Sequence, residues 1–205
     1  MRFASYVTIL CTVIAGTQAR AEDFRHRDFS FFYSAPLVQC RHGPKVQIGD
    51  RLWDPYPTCN EDVCEDGPNL NHEVIVCVAC SADEFPRKVE FRGGAFFVEE
   101  IENATAAEAC TSVDTGWANL HKSAAMVDGL PAAQFQTADV WMGYTRHATY
   151  YRIFVNGRCY EIALHRVYAS TGAYDVGSYE EFTKRDDETV QHGLQETLRS
   201  FHFNK

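Results

Sequence analysis

The sequence predicts an α+β domain carrying a disulfide-stapled irregular insertion, and three observations predict it. Runs of alternating β-branched and aromatic residues are joined by tight-turn dipeptides, the pattern of antiparallel hairpins. Near the C-terminus Val190, Leu194, Leu198 and Phe201 fall at helical spacing, which buries one helix face. From Cys40 to His72 the chain is rich in Gly, Pro, Asn and Asp and crowded with cysteine, the composition of a stretch that needs crosslinks to be ordered.

The first element is a leader. MRFASYVTILCTVIAGTQARAED places Arg2 before a short apolar run from Tyr6 to Gly16, then Ala19-Arg20-Ala21. That is the tripartite pattern of an export signal over residues 1–21, cut before Glu22. The run is too short for a membrane span, and no later segment approaches about 20 uninterrupted apolar residues, so no stable membrane insertion is expected. Residues 22–205 then form one domain, a length that a single core fills. The cut removes Arg2 and Arg20 and takes the formal net charge from −9 to −11. Nucleic acid and anionic membranes need a basic patch to displace counterions, so this acidity argues against both as partners.

The mature chain opens with the charged stretch EDFRHRD, expected to fray, followed by a strand at Phe29–Tyr33 that Pro36 ends. The insertion, about residues 40–72, shows short pairing potential around Lys45 to Ile48. Strands follow at Glu73–Cys80 and Gly94–Ile101. Thr105-Ala-Ala-Glu108 reads as a capping box opening a helix that carries Cys110. Two hairpins come next, turning at Asp128-Gly129 and at Asn156-Gly157. In the second, a two-residue loop sets Val155 opposite Arg158 and thereby fixes every other pair. Ile153 then faces Tyr160, Tyr151 faces Ile162 and Thr149 faces Leu164 on one side, while Arg152 meets Glu161 on the other. Cys159 shares that second side with Phe154, so the helix bearing Cys110 should pack there. Asp187 is expected to cap the last helix, and Ser200–Phe203 to return as a short final strand.

Of eight cysteines, Cys11 leaves with the leader and seven remain. Outside the cytoplasm thiols are normally oxidised, and an odd count leaves at least one free, metal-bound or paired between chains. Cys110 and Cys159 lie far from the rest and form the natural long-range pair. Cys59, Cys64, Cys77 and Cys80, spaced C-x4-C-x12-C-x2-C, could close a thiolate cage around zinc. Alternatively, Cys59 joins Cys64, and Cys40 joins Cys77 or Cys80. Strand alternation points Cys77 and Cys80 to opposite faces, and with export this favours disulfides; zinc is kept as the alternative cofactor.

The order of elements carries a resemblance. The Phe-rich first strand, GGAFFVEEI, VDGLPAAQF, an MGY segment, YYRIFVNGRCYEIAL and ETLRSFHF together resemble exported bacterial proteins of the PsbP-like fold, over about residues 29–35 and 73–203. The resemblance implies a curved antiparallel sheet with helices packed on its faces, in a group whose members bind partners or stabilise complexes. The insertion departs from that pattern. Its cysteines, with GPKVQIGDRLW between Cys40 and Cys59, are similar to small von Willebrand type C modules of extracellular interaction proteins.

Catalysis needs a convergent acid, base and nucleophile. The histidines are scattered, and HExxH, GxSxG and phosphate-cradling glycine motifs do not occur. One constellation is chemically suggestive: His165, Glu161 and Arg152 share a face with Cys159, a Cys/His arrangement if that thiol were free. Against it stands the reading of a disulfide beside a surface ion pair. Trp53, Trp117 and Trp141 are candidate contact residues. The sequence therefore predicts a secreted or periplasmic, non-catalytic binding or structural protein whose partner is an unknown protein or small ligand. The alternatives are a zinc-binding or thiol-redox protein using Cys59, Cys64, Cys77 and Cys80, and an interaction protein with a von Willebrand type C-like module.

Overall fold

The computed structural model describes residues 21–34, 37–39, 46–48, 51–53, 73–81, 91–102, 104–112, 120–141, 144–169 and 180–204. Among them the chain forms β1 (Glu22–Arg25), β2 (Phe29–Tyr33), β3 (Val38–Gln39), β4 (Val46–Ile48), β5 (Arg51–Trp53), β6 (Glu73–Ser81), β7 (Phe91–Glu100), α1 (Ala107–Thr111), β8 (His121–Val127), β9 (Leu130–Trp141), β10 (Tyr144–Val155), β11 (Arg158–Ala169), α2 (Lys184–Arg199) and β12 (His202–Phe203). The class is α+β: an open antiparallel sheet in the order β3-β6-β7-β11-β10-β9-β8, a three-stranded sheet β1-β2-β12, and the pair β4-β5.

Turn chemistry builds the large sheet. Asn156 and Gly157 take φ of 53° and 78°, the left-handed values that let a two-residue loop match the strand twist. Val155 therefore stands opposite Arg158, and the register runs without interruption to Tyr144 opposite Ala169, as the sequence predicts. Asp128 and Gly129, at 50° and 72°, repeat the device between β8 and β9, where Val127 meets Leu130. Register shifts interrupt the ladder at Val167/Tyr168 and at Val74/Val76; such bulges bend the strand that carries them.

Period-2 alternation gives this sheet two apolar faces. On the first, Phe96, Val98, Tyr151, Ile153, Ile162 and Leu164 are buried beneath α2 and the small sheet. Aromatic contacts join the two sheets, with Phe31 4.9 Å from Phe96 and Phe29 6.2 Å from Tyr160 between ring centroids. On the second face lie Phe97, Phe135, Ala148, Tyr150, Ala163 and Val167, and α1 packs there against β10 and β11. Helices thus sit on both faces.

Three local expectations need correction. The stretch 22–28 is not frayed at its start, because β1 pairs with β2 and Phe24 stacks 5.0 Å from Phe31. Thr105 and Glu108 do not form a capping box: α1 begins at Ala107 behind Ala106, which makes no side-chain cap. A helix of five residues cannot sustain itself, and attachment to the sheet replaces the cap. Asp187 is not the cap of α2 either. Thr183 is, accepting from the Asp186 amide while the Asp186 carboxylate accepts from the Thr183 amide, which leaves the Asp187 carboxylate to reach the sheet.

In α2, Val190 and Leu194 are buried, and Leu198 and Phe201 pack in the same core. Beyond it, β12 pairs with β2, and the Asp128 carboxylate accepts from the Phe203 amide at 2.8 Å. Gly193, inside α2, has room for a side chain, since an added Cβ would meet only Leu37 Cδ1 at 3.9 Å. Gly193→Ala is expected to stabilise the fold by about 0.5–1 kcal/mol through the lower entropy of the unfolded chain, measured as a higher urea midpoint.

Candidate functional site

Among the described residues, two groupings of polar side chains on the large sheet are weighed as candidate sites. The first is the constellation singled out in the sequence. Arg152, Glu161 and Glu99 are successive register partners across β10, β11 and β7, so all three project from the second face. Arg152 Nε donates to Glu161 Oε2, and its Nη1 donates to the Ser112 carbonyl at 3.1 Å, just past the end of α1. The pair is not on the surface: Glu161 is 2% exposed. The sequence shows the pairing and not the burial, because burial comes from α1 docking beside it.

Cys159 is joined to Cys110, so its sulfur is no nucleophile. His165, wholly buried, lies with Nε2 3.1 Å from the Tyr150 hydroxyl and packs edge-on against Phe97 and Tyr150. His165, Glu161, Arg152 and Cys159 therefore share a face as expected. Their observed contacts tie α1 to the sheet and fill the core.

The remaining predicted cysteines fall largely elsewhere. Cys40, Cys59 and Cys64 lie outside the described residues, as does Trp117. Cys77 and Cys80 lie on β6 opposite Phe97 and Gly94. Cys77 is disulfide-bonded, and a sulfur so engaged is not a thiolate ligand. Among the described residues no group of His, Cys, Asp and Glu could hold a metal ion.

The second place is a cleft of about 210 Å³ between α2 and strands β9, β10 and β11 on the first face. Gln191 and Gln195 reach it from α2, Gln136 and Thr149 from β9 and β10, and His147 and Arg166 from β10 and β11. Leu164 and Leu194 supply apolar wall. The strand positions follow from parity: Gln136 pairs with Thr149, Thr149 with Leu164, and His147 with Arg166, on the same side as the core residues Tyr151 and Ile153. Polar residues thus occupy core-side positions of these strands, beside the buried Tyr151, Ile153 and Ile162.

One end of the cleft is tied by a three-residue network. Arg166 Nη1 donates to both Asp187 carboxylate oxygens, at 2.8 and 2.7 Å, and the Tyr168 hydroxyl donates to the same carboxylate. Burial, followed by its bond to Asp187, pushes the Tyr168 phenol far above its ordinary value, so it stays a donor. Deeper in the face, Gln134 Nε2 donates to the Tyr151 hydroxyl at 3.4 Å. Burial raises the Tyr151 phenol as well.

Partial burial and then the neighbouring Arg166 charge lower the pKa of His147 below 6.5, with Asp187 opposing. The folded chain therefore binds this proton less readily than the unfolded chain. The contribution is fully present above pH 6.5 and is lost as pH falls from there through the lower folded value. The His147→Gln variant is expected to lose less stability than the parent on acidification across that window, as read from paired urea titrations.

No protein-family model and no curated protein matches the sequence. Among solved structures, LpqN, described as involved in cell envelope biogenesis of Mycobacterium tuberculosis, is similar over 67% of this chain and 80% of that chain, at 11% identity and a TM-score of 0.36. A likeness of that size carries no functional argument. Among the described residues no helix is long and apolar enough to cross a membrane.

The sequence reading missed Gln136, His147, Arg166, Gln191 and Gln195. A signal for the strand members was available. Once Asn156-Gly157 fixes the register, His147 and Thr149 fall on the core side of β10, and a run of polar residues at core parity marks a place where the core is not sealed.

Proposed function

We propose that this chain is an exported, disulfide-stabilised binding protein without catalytic chemistry, and that the cleft between α2 and the large sheet is its binding site. One observation carries the reading: a polar-walled hollow interrupts an otherwise apolar interface between helix and sheet. Concave sites with a few converging polar groups on an apolar floor are the usual form of small-ligand sites. The export element is supported by the leader pattern of residues 1–21 and by the Cys110–Cys159 bond, which persists in oxidising compartments. The motifs quoted above favour the PsbP-like group as the setting for such a protein.

A blocked-cleft variant tests this. Gln191 is exposed on α2 at the cleft wall, so Gln191→Trp fills the hollow without entering the core. Small molecules that raise the thermal midpoint of the oxidised, metal-free parent should fail to raise that of Gln191→Trp. Stabilisation unchanged by the substitution, or turnover of any such compound by the purified protein, would contradict the proposal.

A further inference from the structure

The charge balance of the cleft narrows the ligand, on the reading that this cleft binds one. Among the described residues its wall carries one permanent cation, Arg166, and that charge is matched by Asp187, which also accepts from Tyr168. His147 stands opposite Arg166 on the neighbouring strand, beside a charge that disfavours a second one. The other polar wall groups are carboxamides and hydroxyls. Each carboxamide offers two N–H donors and a carbonyl acceptor, and each hydroxyl offers both roles.

A ligand carboxylate entering here would have to compete with Asp187 for Arg166. A ligand ammonium would find the Asp187 carboxylate already held by two donors. Burying either charge unmatched is costly. An uncharged ligand meets no such penalty, and one bearing several hydroxyls matches groups that both donate and accept. Leu164 and Leu194 offer apolar surface to its C–H face. The volume of about 210 Å³ lies below the roughly 300 Å³ at which drug-sized pockets begin, so the ligand is about one ring in size. The wall is also held in place, because the Arg166–Asp187 pair fixes the start of α2.

We propose that the cleft between α2 and β9–β11 binds a small uncharged polyhydroxylated molecule, a single sugar ring or cyclitol, through the carboxamides of Gln136, Gln191 and Gln195.

The test follows the glutamine side-chain amide resonances of the oxidised mature chain at neutral pH. The probes are glucose and myo-inositol, with gluconate and glucosamine as the anionic and cationic counterparts. Glucose or myo-inositol is expected to shift the Gln191 and Gln195 amides saturably, with at least tenfold weaker binding of gluconate and glucosamine. The Gln191→Ala/Gln195→Ala double variant should weaken the neutral probe about tenfold, the loss of about two modest hydrogen bonds. Gln191→Ala alone keeps the assay interpretable if the double variant is unstable. Tighter binding of gluconate or glucosamine, or no saturable shift with either neutral probe, overturns the ligand class. The cleft itself is judged separately, by whether Gln191→Trp abolishes the stabilisation found in the thermal screen.

Discussion

Breaking the Cys110–Cys159 bond is expected to lower stability by about 4 kcal/mol, from the closure entropy of a loop of 49 residues in the unfolded chain. That loop contains all of β8, β9 and β10, so the crosslink constrains much of the large sheet before folding. It also holds α1, which has too few residues to persist alone. Both sulfurs are buried at 0–1% exposure, which makes Cys110→Ala with Cys159→Ala a better test than serine, whose hydroxyls would be desolvated. Urea denaturation of the double variant against the oxidised parent should show a large fall in midpoint. A loss below about 1 kcal/mol would mean that packing alone holds α1 and that the bond is incidental.

Arg152→Met is expected to cost about 3–5 kcal/mol, because it leaves the buried Glu161 carboxyl group without its partner. Glu99, equally buried, faces Glu161 across the β7–β11 ladder, and loss of the guanidinium would leave two carboxylates adjacent. The same substitution removes the bond to the Ser112 carbonyl, so α1 would loosen as well. Glu161→Gln should cost less, since Arg152 is 19% exposed at its side chain and can turn toward water. Arg152→Met combined with Glu161→Met should recover a good part of the loss, as replacement of buried ion pairs by apolar residues often does. Urea titrations of the two singles and the double separate these outcomes. An Arg152→Met variant as stable as the parent would show that the pair is solvated in solution.

What could be read ahead of the structure was local or fixed by one turn. Asn156-Gly157 admits one loop length, and from it follow twelve pairs of β10 and β11, including Arg152 with Glu161 and Phe154 with Cys159. The face shared by Cys159 and Phe154 then required a helix bearing Cys110 above it. Helix ends are less legible, because several Thr, Asp and Glu residues compete for each cap. Thr183 and Asp187 both suit the cap of α2, and Asp187 is drawn instead to Arg166 and Tyr168 on the sheet. That attraction joins β11 to α2 through tertiary packing, which no spacing rule encodes. The cleft has the same origin: Gln191 and Gln195 read as solvent-facing helix positions until α2 is placed across β9 to β11.

The most direct test of the central claim, an exported protein locked by oxidised sulfur, is disulfide mapping by peptide mass on protein recovered from a host competent for export. The expected result is a chain beginning at Glu22 in the exported fraction, with the Cys110 and Cys159 peptides joined until reductant is added. An uncut chain in the cytosolic fraction, with Cys110 and Cys159 both as free thiols, would contradict it.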